Sequence, residues 1–171
     1  MTRDVRILNT GSLLELQRRL RAAGGENIRS SMQRRIRRAA EPLRDDLQDT
    51  IRRMNLRSQG RSTRQGGPSP NGRPLRETLA AAIRISVRTT GGAGATVWVD
   101  RGRLPAGYEN IPNQINRTGR LRHPTFGNKS RRGWVNQYGT ALWWDNVVRQ
   151  HRPRMEREVA RVLDDVRRRL E

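Results

Sequence analysis

Between Glu26 and Leu56 apolar residues recur every three or four positions, at Ile28, Met32, Ile36, Ala39, Leu43, Leu47, Ile51 and Met54. That spacing predicts one long helix with a single buried stripe. Pro42 falls in its middle and predicts a kink, because proline removes an amide donor and crowds the preceding turn. The opposite side carries Arg34, Arg35, Arg37, Arg38, Arg52 and Arg53. These are expected to form a solvated face, the alternative being a stripe that tracks a phosphate backbone. Upstream, Val5, Ile7 and Leu8 predict a short edge strand. Ser12-Leu13-Leu14-Glu15 matches a capping box that opens a helix ending at Gly24-Gly25.

The period changes to two at Ile83-Arg84-Ile85-Ser86-Val87-Arg88-Thr89, a half-buried strand that follows a short helix over 74–82 with proline in its first turn. Gly91-Gly92 turns the chain, and Ala95-Thr96-Val97-Trp98-Val99-Asp100 returns as the second strand of a hairpin. Trp134-Val135 is expected to rejoin the same sheet as a third strand. After Trp143-Trp144 and Pro153, the residues Met155, Val159, Val162, Val166 and Leu170 mark an amphipathic C-terminal helix over the sheet, with Arg157, Glu158, Arg161 and Asp165 on its wet side. The expected fold class is α+β: a small antiparallel sheet (hairpin 83–99 plus a strand near 134) packed against a long kinked N-terminal helix and a C-terminal amphipathic helix, with long basic loops. A single domain over 1–171 is expected.

Two stretches break the periodic pattern. Residues 57–73, RSQGRSTRQGGPSPNGR, hold no apolar side chain and predict a flexible basic arm that orders only against a neighbour. Residues 101–133 are expected to form a long loop with a short helix near Asn113 to Asn116.

Composition sharpens this picture. The 171 residues are 33% hydrophobic, enough for a thin core, so part of the stability is expected to come from association. Thirty-six basic residues face sixteen acidic ones, a net charge of +20. The excess is greatest over residues 61–135, with 14 basic and 3 acidic side chains. Such a region attracts phosphate backbones through counterion release and acidic proteins through complementarity. No groove-reading motif accompanies it, so base-specific readout is not expected. With no cysteine the chain forms no disulfide or thiolate metal site. Neither a signal peptide nor a membrane span is expected, and folding in a cytoplasm is the default.

The most unusual chemistry lies in residues 119–145, GRLRHPTFGNKSRRGWVNQYGTALWWD. This stretch gathers His123, the only lysine, the only phenylalanine, three of the four tryptophans and four arginines. Aromatic and guanidinium groups together are typical of surfaces that meet a partner. Arg122-His123-Pro124-Thr125-Phe126-Gly127, followed by Trp134-Val135-Asn136-Gln137 and Trp143-Trp144-Asp145 ahead of a terminal helix, resembles the tail-completion or head-tail joining (neck) proteins of long-tailed bacteriophages, the group that includes the lambda tail protein Z. The resemblance extends more weakly to the proline-interrupted N-terminal helix and to Leu75-Arg76-Glu77-Thr78-Leu79-Ala80.

The resemblance implies a structural virion protein of the neck or tail top, made in the host bacterial cytoplasm, that completes the tail and joins it to the head. It implies a homomeric ring, a hexamer by analogy, around the DNA channel. Its partners would be the head connector or stopper, the tail terminator or tail tube proteins, and packaged double-stranded DNA through non-specific backbone contact. The expected contacts to DNA or to acidic partners are Arg57, Arg61, Arg64, Arg73, Arg120, Arg122, Lys129, Arg131 and Arg132. His123, Phe126, Trp134, Trp143 and Trp144 are expected as anchors, either between copies or in the core. The alternative function is a basic nucleic-acid-binding protein acting outside the virion.

No enzyme, cofactor or metal site is expected. His123 and His151 stand apart without a carboxylate partner at ligand spacing, and Asn128-Lys129-Ser130 lacks the glycine of a phosphate-binding loop. Gly91-Gly92-Ala93-Gly94 leads into a strand and reads as a hairpin turn, unlike a nucleotide-binding glycine motif. Asp45-Asp46 and Asp164-Asp165 sit beside arginines on helices, as expected of surface ion pairs.

Overall fold

The computed structural model describes residues 5–6, 26–58, 75–89, 93–124 and 134–170. They form α1 (Glu26–Arg53), α2 (Leu75–Ala81), α3 (Ile111–Thr118) and α4 (Trp143–Leu170), with strands β1 (Val5–Arg6), β2 (Arg57–Ser58), β3 (Ile83–Arg88), β4 (Gly94–Val99), β5 (Arg120–Pro124) and β6 (Trp134–Tyr138). The fold is α+β, with the hairpin, the long N-terminal helix and the C-terminal helix at their expected places. The expected capping box at Ser12 and Glu15 lies outside the described residues.

The strands make two separate antiparallel sheets, β1-β4-β3 and β2-β6-β5. Trp134-Val135 therefore begins a strand, as expected, but of the second sheet and not of the hairpin's. The physical reason is local: β5, in the segment expected to be loop, is close in sequence and takes β6 as its partner, from Arg120↔Tyr138 to Pro124↔Trp134. Residues 101–133 accordingly hold a 3-10 turn (Arg101–Arg103), α3 and β5. The short helix is eight residues long, with proline in its first turn and Ile111 and Ile115 buried on one face.

The described chain divides into two compact units. The first comprises residues 1–46, 83–99 and 148–171, and so contains β1-β4-β3. Its core is built from Met32, Ile36, Ala40 and Leu43 of α1, Ile83, Ile85, Ala95 and Val97 of the hairpin, and Met155, Val159, Val162, Leu163 and Val166 of α4. The α1 and α4 residues fall at helical spacing, and the hairpin residues alternate, so each element spends its apolar side on one common interior. Helix α1 continues through Pro42, and α4 through Pro153.

Two polar contacts fix how α1 and α4 run past each other in this unit. Arg35 donates to the Asp165 carboxylate, and His151 Nε2 lies 2.8 Å from Asp46 Oδ2. Moving forward by eleven residues on α1 moves backward by fourteen on α4, so the helices are antiparallel. One member of each acidic pair, Asp46 and Asp165, thus bridges the two helices, while Asp165 also accepts from Arg168 at 2.6 Å within α4 and Asp45 from Arg44 at 2.7 Å within α1, surface ion pairs as expected.

Hydrogen bonding from Arg35, with smaller contributions from the charges of Arg35 and Arg168, holds the Asp165 carboxyl below its ordinary value of 3.8 despite some desolvation. The folded chain therefore releases this proton more readily than the unfolded chain. The resulting stabilisation is complete above 3.8 and is lost as pH falls through the lower folded value. Asp165→Asn is expected to lower the urea midpoint at pH 7, with the gap to the parent protein closing as the pH is taken below 3.8. Urea titrations across that range measure it.

Candidate interaction surface

The second unit, residues 47–82 and 100–147, contains β2-β6-β5 and most of the residues singled out by the sequence. Its interior is formed by Leu47, Ile51 and Met54 at the end of α1, Leu79 and Ala80 of α2, Leu104, Ile111, Ile115 and Leu121, and Trp143, Trp144 and Val147 at the start of α4. Trp143 and Trp144 are 2% and 4% exposed and pack edge to face, with ring centroids 5.6 Å apart. Their burial makes both of them core anchors of this unit.

Asn116 holds the unit's polar interior and is 1% exposed. Its Oδ1 accepts from the Trp144 backbone N–H at 2.9 Å, its Nδ2 donates to Asp145 Oδ2 at 3.0 Å, and its carbonyl accepts from Leu142 N–H at 2.7 Å. The first amides of a helix have no partner within the helix, and the residue ahead of α4, Leu142, has no side chain able to cap them. Asn116 does so from α3, twenty-eight residues away.

Two glycines let the surrounding backbone close up. Gly119 ends α3 with φ +62° and donates to the Ile115 carbonyl at 2.7 Å; an added Cβ would come within 3.1 Å of the Gly139 carbonyl oxygen. Gly139 returns a 2.8 Å hydrogen bond to the Gly119 carbonyl, and its own Cβ would meet Met54 Sδ at 2.8 Å. At the end of α1, Arg76 of α2 donates to the Arg52 and Met54 carbonyls at 3.3 and 3.1 Å, and Glu77 accepts from Arg52 at 3.2 Å. The two Arg76 contacts satisfy carbonyls that the helix cannot.

Upon this frame the register of the second sheet orders the basic residues. β2 and β5 lie on either side of β6 and both run antiparallel to it, so they run in the same direction. β5 ends at Pro124, opposite Trp134, and β2 ends at Ser58, opposite Gln137 and heading the same way. Residues 59–74 follow β2, which ends opposite Gln137, and residues 125–133 join β5 to β6 between Pro124 and Trp134. The first carries Arg61, Arg64 and Arg73 and the second Lys129, Arg131 and Arg132, with no acidic residue in either. These six residues and Phe126 lie outside the described residues, as does most of the expected arm over 57–73, whose first two residues are β2.

Of the other expected contacts, Arg57 and Arg120 pair in register with Tyr138 from its two sides. Arg120, Arg122 and Tyr138 share the exposed face of the sheet, while Leu121 is buried on the other. His123 and Trp134 take part in the β5–β6 ladder. Asn116, Gly119 and Gly139 escaped the sequence reading. Gly119, directly after an amphipathic stretch, carried a legible helix-stop signal. The role of Asn116 had none, since its partners are distant in sequence.

Among the described residues no group of three histidines, cysteines or carboxylates is placed to hold a metal ion, and no helix is long and apolar enough to cross a membrane. Comparison of the chain with protein-family models, with curated proteins and with solved structures gives no match.

Asn116→Ala is expected to destabilise the protein by about 1–3 kcal/mol, the cost of leaving buried hydrogen-bonding groups without a partner, as read by urea denaturation. Leu142 has the opposite expectation. It holds φ +55° with its side chain 46% exposed, so it bears left-handed strain while burying little. Leu142→Asn, a residue that tolerates this conformation, is expected to raise stability by about 0.5–1 kcal/mol in the same assay.

Proposed function

We propose that this chain is a structural protein of the neck or tail top of a long-tailed bacteriophage, closing the tail and joining it to the head connector as a homomeric ring around the DNA channel. The observation that carries the reading is that the two segments following β2 and β5 of the sheet β2-β6-β5, 59–74 and 125–133, are both basic and free of acidic residues. Repeated by rotation in a closed ring, these two segments would supply a collar of guanidinium and ammonium groups. A collar of this kind suits a duplex held by its phosphates, because counterion release is indifferent to sequence and to the rotation of the duplex within the channel.

The resemblance of the Arg122–Gly127 and Trp134–Gln137 motifs to neck proteins supports the same reading, since these motifs flank the basic connection 125–133. The thin apolar content adds a physical motive for assembly: a subunit with little core gains stability from burying surface against identical neighbours.

Immunogold or density assignment in electron micrographs of purified virions is expected to place the chain at the head-tail junction. Absence of the chain from virions overturns the reading. Replacing Arg61, Arg64, Lys129 and Arg131 with serine is expected to weaken binding to duplex DNA and to flatten its salt dependence, by about 0.9 in the log–log slope for each phosphate contact removed. An unchanged slope removes DNA as the partner of the collar.

A further inference from the structure

We infer that the helix pair of the first unit carries a second interaction site, a groove that accepts an acidic, amphipathic segment of another protein. The site is independent of the neck reading and shares no residue with the sheet surface described above.

The groove, open to solvent, runs between α1 and α4 and has a volume of about 540 Å³. Its walls are Arg35 and Arg38 of α1 and Arg161 and Arg168 of α4; Ala39 and Val162 supply apolar lining. Two carboxylates share the space. Asp165 is held between Arg35 and Arg168, and Glu158 accepts from Arg161 at 3.0 Å. Four guanidinium groups against two carboxylates leave two positive charges in excess. One of them is localised: Arg38 is exposed and makes no ion pair or hydrogen bond among the described residues.

The class of occupant follows from this lining. A guanidinium presents a planar fork that binds carboxylate in bidentate fashion, and Arg38 is free to do so. The small apolar floor beside it, Ala39 with the edge of the core residue Val162, gains from contact with a hydrocarbon side chain, which a phosphodiester chain lacks. The space between two packed helices is also far narrower than a DNA duplex. The arrangement therefore favours a segment that places an aspartate or glutamate one helical turn from a leucine-sized side chain, as on an amphipathic acidic helix. Because the carboxylates already present are engaged by Arg35, Arg161 and Arg168, the incoming carboxylate meets Arg38 without first displacing an internal partner.

The test uses the full chain and fluorescence anisotropy with two labelled probes of equal formal charge: a synthetic helix of alternating glutamate and leucine turns, and a single-stranded oligodeoxynucleotide. Arg38→Glu is the groove variant. Arg88→Glu, an equal change of charge at an exposed position of β3 in the same unit, is the control. Both positions are exposed, so both variants are expected to melt as the parent protein does. The peptide's affinity is expected to fall about tenfold or more in Arg38→Glu and to stay within about twofold in Arg88→Glu. Equal losses in the two variants overturn the site, because they reduce it to the overall charge of the chain. An oligodeoxynucleotide that loses as much as the peptide through Arg38→Glu overturns the choice of a protein partner.

Discussion

A chain with thirty-six basic and sixteen acidic side chains folds against its own electrostatic repulsion, and that constraint orders the rest of the structure. Like charges are tolerable when they stay in water and far apart, which requires every helix to keep its guanidinium groups off the apolar stripe. A few of the scarce carboxylates are placed where they link elements. Asp165 and Asp46 reach from one helix of the first unit to the other, and Glu77 and Asp49 gather around Arg52 in the second. Exposed pairs of this sort contribute little individually. Their value here lies in choosing which arginines are neutralised and which remain available.

Buried polarity is handled differently. Among its described residues the second unit buries one asparagine, and both ends of its amide, together with its backbone carbonyl, serve the entry to α4. A helix start next to two buried indoles has little access to water, so its first amides need a protein partner. Supplying that partner from α3 ties the short helix, the glycine contact between 119 and 139, and the tryptophan pair into one arrangement. The left-handed Leu142 is the strained joint of that arrangement, held in place by the contacts on either side of it.

The excess positive charge is unevenly distributed along the chain. Part of it belongs by sequence to residues 59–74 and 125–133, which in the proposed collar would meet a phosphate backbone. Another part, at Arg38, stands beside apolar lining between two helices, where a carboxylate on an apolar scaffold fits better. The same side-chain chemistry thus presents two different surfaces. The neighbours of each guanidinium, more than its charge, separate them.

How much of this was legible beforehand varied with the range of the interaction. Periodicity alone located the stripe from Met32 to Met54, except that Ala40 is the buried alanine in place of the expected Ala39, the alternation of Ile83 and Ile85, and the face from Met155 to Val166, because a helix or strand shows its buried side every few residues along the chain. The partner of Trp134-Val135 was not legible, since period-two patterning says that a strand exists but not which edge it joins. The bridging of α3 to α4 by Asn116 was equally hidden: it depends on two segments twenty-eight residues apart meeting with their hydrogen-bonding groups aligned. Local chain stiffness and hydrophobic spacing determined the elements of this protein. Only the packing of distant segments decided the division into two sheets, the buried asparagine, and which arginines were left without a carboxylate.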